Sequence, residues 1–311
     1  MAVEIRPVRI HEIDRALELI FADAIGMEKH LAHKIDNFKQ LALREGYDLS
    51  RQIISQRQGE MIYSGLFTLQ EGGTAFILTA NPAKTHPGDG EVFTAAVQAT
   101  QRLMQWATAE GGELLQVLLE PQDIDRERLC RRCGFKRLAD LIYLTRSLAS
   151  PAPADTSPAG ISWQIYDAKH HELFKSVILQ TYHDSLDCPE LEGQRDIEDV
   201  IKSHRTAGPF EPRWWKILLF DNKPVGVLLM IPLRGTEAME LTYMGLCPEV
   251  RGKDLGKVLI KEAISVATAS GARRLTLAVD KRNNIAYHLY LRFGFSIFLS
   301  RIVFWYSSRW R

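Results

Sequence analysis

A short segment occurs twice in this chain, and the repeat limits the folds open to it more than any other feature. Leu129-Cys-Arg-Arg-Cys-Gly134-Phe135 matches Leu289-Tyr-Leu-Arg-Phe-Gly294-Phe295 at an offset of 160 residues. A period of about 20–50 residues would mean a stacked solenoid. An offset of 160 residues is the size of a whole domain. The 311 residues have room for two cores, at about 100–200 residues each. Between the two copies, Ala149-Ser-Pro-Ala-Pro-Ala-Asp-Thr-Ser-Pro-Ala-Gly160 carries three prolines and no large apolar side chain. It reads as a semi-rigid linker. The expected division is therefore 1–148, a linker at 149–160, and 161–311.

The pattern around each copy runs in the same order. In the second half Met239–Cys247 reads as a strand and Leu255–Ser270 as a helix stopped by Gly271. Arg274–Asp280 alternates like a strand, Asn284–Arg292 is a short helix and Ser296–Tyr306 a last strand. The first half gives Thr74–Ala80, Glu91–Glu110 closed by Gly111-Gly112, Leu114–Glu120, Arg126–Arg132 and Lys136–Arg146. Strands alternating with helices make each half an α/β unit, and the whole a duplication of one.

Composition removes several function classes. Thirty-nine Lys and Arg against 38 Asp and Glu leave a net charge of +1, without the basic surplus of a nucleic-acid binder. Charges recur every few residues through Met1–Arg15, where a secretory signal needs an apolar run. No window approaches the ~18 apolar residues of a membrane span. The longest, Val225–Leu233, is interrupted by Gly226 and Pro232. Cys130, Cys133, Cys188 and Cys247 make no disulfide framework. The expectation is a soluble, cytoplasmic protein.

Chemistry concentrates in Pro248-Glu-Val-Arg251-Gly252-Lys253-Asp254-Leu255-Gly256-Lys257, between a strand and a helix. A helix start exposes unpaired N–H groups and the positive end of the dipole. Glycines admit a ligand close to the backbone, and Arg251, Lys253 and Lys257 add charge. The combination suits a pyrophosphate. The spacing is not that of a nucleotide P-loop, and no G-x-G-x-x-G dinucleotide fingerprint is present.

One helix and one strand further on comes Asn283-Asn-Ile-Ala286-Tyr-His-Leu289-Tyr290-Leu-Arg-Phe-Gly294-Phe295. With both segments in this order, the chain resembles the GNAT superfamily of acyl-CoA-dependent N-acetyltransferases. The family's (Q/R)-x-x-G-x-(G/A) motif matches Arg251-Gly-Lys-Asp254-Leu-Gly256, except that Asp254 stands where the first Gly usually sits. Its N-x-x-A-x-x-L-Y-x-x-x-G-F signature matches Asn283–Phe295 at every fixed position. The likeness covers residues 161–306 by motif and the first half in layout only. It implies two tandem GNAT-like domains, each a mixed, mostly antiparallel twisted sheet flanked by helices. Residues 1–148 would be the degenerate domain and 161–311 the catalytic one, a tandem layout that some members share.

The resemblance further implies acetyl-CoA as cosubstrate and no metal. Met244, Gly245 and Leu246 would offer backbone groups to the pantetheine arm. Arg251, Gly252, Lys253, Asp254, Leu255, Gly256 and Lys257 would hold the diphosphate, with Asp254 bringing an unwelcome carboxylate. Asn283 would orient cofactor or water, unless Asn284 beside it is the helix cap. The reaction is attack of an amine on a thioester. A lysine-like amine has a pKa near ~10.4 and is almost wholly protonated at neutral pH, so a base is needed. Glu240 is the base candidate, on the strand leading into the loop, with a solvated strand-end carboxylate as the alternative. Period-2 alternation expects Glu240, Thr242, Met244 and Leu246 on one face and Tyr243 on the other. Tyr290 is the candidate acid for the leaving thiolate, against a plain core tyrosine. Cys247 is read as a small strand-end residue and not a nucleophile.

Acceptor-side residues are expected in the segment holding His183, Asp184, Asp187, Asp196, Glu198 and Asp199, whose acids suit a cationic amine or merely a solvated loop. Phe210, Trp214 and Trp215 either line that cleft or belong to core and rim. His183 and His204 lack ligand spacing. In the first half, Asn81–Gly90 has lost the loop motif, and Cys130 takes the place of Tyr290. The Cys130/Cys133 pair reads as packing, since a zinc site wants a second pair. Gly88 and Gly90 leave open a residual contact with phosphate. The partners expected are a small-molecule or peptide amine acceptor, with no nucleic acid and no membrane, in a monomer or homodimer. A non-catalytic acyl-CoA sensor and an acyltransferase for longer chains or a hydroxyl acceptor stay as alternatives.

Overall fold

The computed structural model describes residues 3–22, 28–149 and 158–309. Residues 150–157 of the expected linker therefore lie outside the described residues. In chain order the first elements are β1 (Val3–Pro7), α1 (Ile13–Phe21), α2 (Glu28–Glu45), β2 (Gln52–Arg57), β3 (Glu60–Leu69) and β4 (Thr74–Thr79). Then come α3 (Pro82–Thr85), α4 (Gly90–Ala109), β5 (Leu114–Leu119), α5 (Ile124–Cys133) and β6 (Lys136–Ser147). The second series is β7 (Ile161–Ile165), α6 (His171–Tyr182), α7 (Ile197–Thr206), β8 (Trp215–Phe220) and β9 (Lys223–Pro232). It ends with β10 (Ala238–Leu246), α8 (Leu255–Ala269), β11 (Arg274–Asp280), α9 (Asn284–Arg292) and β12 (Ser296–Ser307).

The chain divides into two compact units, Met1–Leu138 with Ile302–Arg311, and Ala139–Arg301. Each unit therefore takes its last strand from the other half of the sequence. In the first, strands run in the order β1-β2-β3-β4-β5-β12, and Ile302–Ser307 of β12 lies antiparallel to β5. In the second the order is β7-β8-β9-β10-β11-β6, with Leu141–Ser147 of β6 antiparallel to β11. Within each set one neighbouring pair is parallel, β4 with β5 and β10 with β11. These are mixed, mostly antiparallel sheets flanked by helices.

Local sequence sets the helix ends. Asp89, Asp123, Asp196 and Asn283 each place a side-chain oxygen on first-turn N–H groups of α4, α5, α7 and α9. The cap of α9 is thus Asn283, and Asn284 is its first helical residue. The second unit's core is built on β9, buried from Val225 to Ile231, with α6 against one face and α8 against the other. Trp215 is fully buried and meets Tyr166 and Phe210 at ring distances of 5.6 and 5.0 Å. Trp215 is core, and Phe210 and Trp214 are partly buried against it.

A bulge between Leu241 and Tyr243 changes the faces of β10. Glu240 lies opposite Ile231 and Tyr243 opposite Leu229, so both side chains share a face. The expected alternation fails there because one extra residue, Thr242, enters the strand. Met239 on the other face takes a hydrogen bond onto its sulfur from Ser270, the residue that follows α8 (2.9 Å). Tyr243 faces α6, and its hydroxyl shares a 2.8 Å hydrogen bond with Thr181 Oγ1. Gly245 permits this approach, since a Cβ there would lie 2.6 Å from Thr181 Cβ and 2.9 Å from the Tyr243 hydroxyl. Gly245→Ala should therefore push α6 off β10 and lower unfolding stability by about 1–3 kcal/mol. Denaturant unfolding of the full chain reads this directly.

Candidate active site

Strands β10 and β11 pair only from Ala238–Arg274 to Leu241–Leu277. Beyond that point β10 continues to Leu246 against β9 alone, while β11 continues to Asp280 against β6. A gap opens between the two. Cys247 N–H donates to Val225 O across towards β9. By alternation along the strand, the N–H groups of Met244 and Leu246 point the other way, to the open edge.

The loop after β10 ends at the start of α8. Gly252 has φ +77° and Asp254 φ +60°, both left-handed, which turns the backbone inward. Among the described residues, the N–H groups of Gly252, Asp254, Leu255 and Gly256 have no acceptor within the protein. Four donors at one helix start, with the dipole behind them, are what a diphosphate requires. Asp254 does not cap the helix; its exposed carboxylate turns outward to Lys257 Nζ (2.9 Å). The departure at this position is thus partly neutralised by its own neighbour. Gly256 sits against α9, where a Cβ would come within 3.2 Å of Leu289.

The side chain of Arg251 is not directed at this cradle. Its Nε donates to Leu246 O (3.0 Å), Nη1 to Asp184 O (3.0 Å) and Nη2 to Thr181 O (3.1 Å). It ties the loop to the end of α6, using the unsatisfied carbonyls of that helix end. Lys253 is exposed.

Glu240 is half-buried opposite Thr276, one residue before β10 and β11 part, and burial raises its carboxyl above the usual range. Its carboxylate has no hydrogen bond or ion pair among the described residues. Tyr143 of β6, opposite Ala278 of β11, senses this charge, and burial pushes its own phenol up. Tyr143 was not anticipated, because the sequence assigns its strand to the other domain. Tyr290 is 6% exposed, and burial and then Asp187 raise its phenol well above the ordinary value. Cys247 is buried, its thiol 3.5 Å from Gln180 Oε1, and burial raises its pKa.

The acids between α6 and α7 separate into roles. Asp196 caps α7, and Glu198 pairs with His171 (3.0 Å) and Lys175 (2.7 Å). Lys175 also meets Glu172, so an ammonium already occupies that cluster. His183 pairs with Glu192 (3.1 Å). His204 stacks near Tyr243 (5.9 Å), and burial, with Arg195 adding, lowers its pKa to about 4. Asp187 is exposed and accepts a hydrogen bond from Asp280 N–H (2.8 Å) at the end of β11.

The equivalent places in the first unit are filled by its own side chains. Asp89 accepts from Glu91 N–H (3.0 Å) and Val92 N–H (3.1 Å) at the start of α4, and is paired with Arg57 (2.7 Å). After Phe76 and Gln116 the strands β4 and β5 also part. There Asn81 Nδ2 donates to Asp123 Oδ1 (3.1 Å), and Arg126 binds Asp123 and Thr79 O (3.2 Å). Asn81 and Asp123 are both buried. Cys130 and Cys133 are buried too, and burial raises both thiols, that of Cys133 to about 12.

A sheet with one splayed parallel pair, followed by a glycine loop and a helix start, defines an acetyltransferase fold of the GNAT type. Residues 178–295 match the acetyltransferase (GNAT) family, so a GNAT acetyltransferase domain lies in the second half of the chain. Among curated relatives, the mycothiol acetyltransferase of Corynebacterium glutamicum is 25% identical over 240 residues, 73% of each chain. The peptidyl-lysine N-acetyltransferase YjaB of Escherichia coli is 27% identical over 115 residues, 37% of this chain and 66% of its own. Domain and relatives alike support an N-acetyltransferase. Among solved structures, a GCN5-related N-acetyltransferase from Sphaerobacter thermophilus has a TM-score of 0.65 at 16% identity, covering 98% of this chain and 95% of that one. A tandem GNAT protein from the clavulanic acid biosynthesis pathway has a TM-score of 0.51 at 14% identity, covering 98% of both. At such identities these two likenesses carry the fold alone. Among the described residues no helix is long and apolar enough to cross a membrane.

Left-handed backbone at Asp254 is costly for any residue with a Cβ, by roughly 1–2 kcal/mol in general and less for Asp. Asp254→Gly should therefore be at least as stable as the native chain and about 1 kcal/mol more stable than Asp254→Ala. Thermal unfolding of the two variants side by side checks this.

Proposed function

We propose that the protein transfers an acetyl group from acetyl-CoA to an amine by direct attack, at a site in residues 161–311. The observation that carries this reading is the splayed edge of β10 running into four unpaired N–H groups at the start of α8. Acetyl-CoA supplies an activated thioester when bound. Met244 and Leu246 then offer N–H groups to its pantetheine arm, and Gly252, Asp254, Leu255 and Gly256 to its diphosphate. Lys253 and Lys257 contribute charge from the rim, whereas Arg251 supports the loop. Asn283 serves as the cap of α9 and, through it, orients Tyr290.

Glu240 accepts the proton of the attacking ammonium, directly or through a water. A carboxyl raised by burial is a stronger base than an ordinary one, which favours this role. Nitrogen then attacks the carbonyl carbon to give a tetrahedral adduct; as the C–S bond breaks, Tyr290 gives its proton to the departing thiolate, and the second proton that the nitrogen must lose returns through water to the Tyr290 phenolate. Holding the two reactants in line supplies up to about 7–11 kcal/mol in the best cases. The first unit has Asp89 at its helix start and Asn81, Asp123 and Arg126 across its gap, which supports a scaffold role.

The relatives' names suggest acceptors to try, a lysine-containing peptide and the unacetylated form of mycothiol, beside simple primary amines. Release of coenzyme A dependent on an acceptor is the expected result. Glu240→Gln should lower kcat by about 10²–10⁴-fold, with a smaller loss for Tyr290→Phe. Because Glu240 acts as the ionised base, activity should rise with pH through its pKa. That acidic limb should lie above the ~4.3 of an ordinary glutamate and vanish in Glu240→Gln. Binding of acetyl-CoA without release in the presence of any acceptor would favour a sensor instead.

A further inference from the structure

The turn after α9 is held by a buried charge from another strand. Arg146 of β6 is 5% exposed, and its Nη1 donates to Phe293 O (3.1 Å), the carbonyl that follows the last residue of α9. Carbonyls at a helix end lack partners within the helix, and a guanidinium there also meets the negative end of the dipole. Gly294 makes the turn at φ +79° and leaves the room, since a Cβ on it would lie 3.2 Å from the same Nη1. This bond reaches Tyr290 within one residue. Phe293 N–H (3.0 Å) and Phe295 N–H (3.1 Å) both donate to Tyr290 O, and the Tyr290 and Phe295 rings meet at 5.8 Å. Asn283 caps the start of α9, so the helix is fixed at both ends around the phenol.

The first unit shows that the fold itself does not need this charge. At the offset of 160 residues, Arg146 opposite Leu275 corresponds to Tyr306 opposite Leu115. Tyr306 meets the ring of Phe135 at 6.2 Å, and a Cβ on Gly134 would find nothing within 4 Å. The same strand and turn therefore close with an aromatic contact where the helix carries Cys130, and with a buried cation where it carries Tyr290. A buried charge is costly unless its donors are met, and an apolar contact would serve packing alone.

We propose that Arg146 is a positioning residue for acyl transfer, fixing the end of α9 so that the Tyr290 hydroxyl stands where the sulfur departs. This rests on the acyl-transfer reading and on the role of Tyr290 given above. Arg146 acts without touching either substrate. A displacement of about 1 Å can cost about 10²-fold in rate. Slack at Phe293 should therefore appear in turnover and not in cofactor binding. Through β6, the first half of the sequence then takes part in the chemistry of the second unit.

The test measures coenzyme A release from acetyl-CoA by the full chain, with whichever of 1,4-diaminobutane, glucosamine and lysine amide the native chain acetylates. Arg146→Met keeps the length of the side chain and removes its donors. It should lower kcat by about 10–100-fold, with the Kd for acetyl-CoA and the acidic limb assigned to Glu240 unchanged. Arg146→Lys, which keeps the charge and a donor, should recover part of the loss. On a Tyr290→Phe background neither change should cost more than about twofold further, because the group they position is gone. Native kcat in a folded Arg146→Met, a loss carried by the Kd for acetyl-CoA, or a loss that multiplies in full with that of Tyr290→Phe would overturn the proposal. So would a Tyr290→Phe chain with native kcat, although transfer itself would then stand. Where circular dichroism shows Arg146→Met unfolded, Arg146→Lys carries the same cycle. Its expected loss is about 3–10-fold on the native background and none on Tyr290→Phe, and no loss on either overturns the proposal equally. If the native chain binds acetyl-CoA and acetylates none of the three amines, the acyl-transfer reading fails and this inference falls with it.

Discussion

Everything in the second unit depends on two parallel strands that pair for four residues and then part. Between Ala238–Leu241 and Arg274–Leu277 the ladder is regular; beyond it, each strand keeps only its outer neighbour. Backbone donors on the inner edge of β10 are left without a partner, which a folded chain tolerates only where a ligand or water can take them. The bulge at Thr242 sits where the strands separate, and brings Glu240 and Tyr243 to one face. Gly245 lets α6 close against that face. The same parting occurs in the first unit, where Asn81, Asp123 and Arg126 bridge it and Asp89 caps the helix that follows. One architecture thus has two outcomes, set by which side chains occupy the gap.

Much of this was legible in the sequence because it rests on local signals. The strand and helix order around Gly134 and Gly294, the glycine loop and the Asn283–Phe295 signature depend on short-range chemistry, and the elements lie where periodicity put them. What was hidden depends on tertiary context. A single extra residue in Glu240-Leu-Thr-Tyr243 leaves the apolar pattern of the strand intact, so the bulge gives no warning. The exchange of last strands is hidden for a related reason. Both follow a Gly-Phe pair and both fit the same slot, so nothing local says which unit each joins. Tyr143 was missed for that reason; Asp187 was named among the acids of its segment, but its hydrogen bond with Asp280, 93 residues away, left no trace in the local pattern.

Two charged residues in the loop show how charge alone misleads. Arg251 reads as a phosphate ligand, yet it spends its guanidinium on three carbonyls. Asp254 reads as a defect, yet its carboxylate is turned outward to Lys257 while its backbone remains part of the cradle. At Asp254 it is the backbone, and not the side chain, that belongs to the cradle; Arg251 N–H is itself bonded to Pro248 O (3.2 Å). Affinity for a diphosphate would then be set by the loop's shape and by the dipole of α8 more than by its count of cations.

The most direct measurement is titration calorimetry of acetyl-CoA against the intact chain and Gly256→Glu, which pushes a charged side chain from the start of α8 towards Leu289 of α9 and adds a negative charge beside the four free N–H groups. The account predicts one site per chain, lost in the variant. Two sites would mean that the filled gap of the first unit opens to cofactor. A single site that survives Gly256→Glu would contradict the assignment of the α8 cradle.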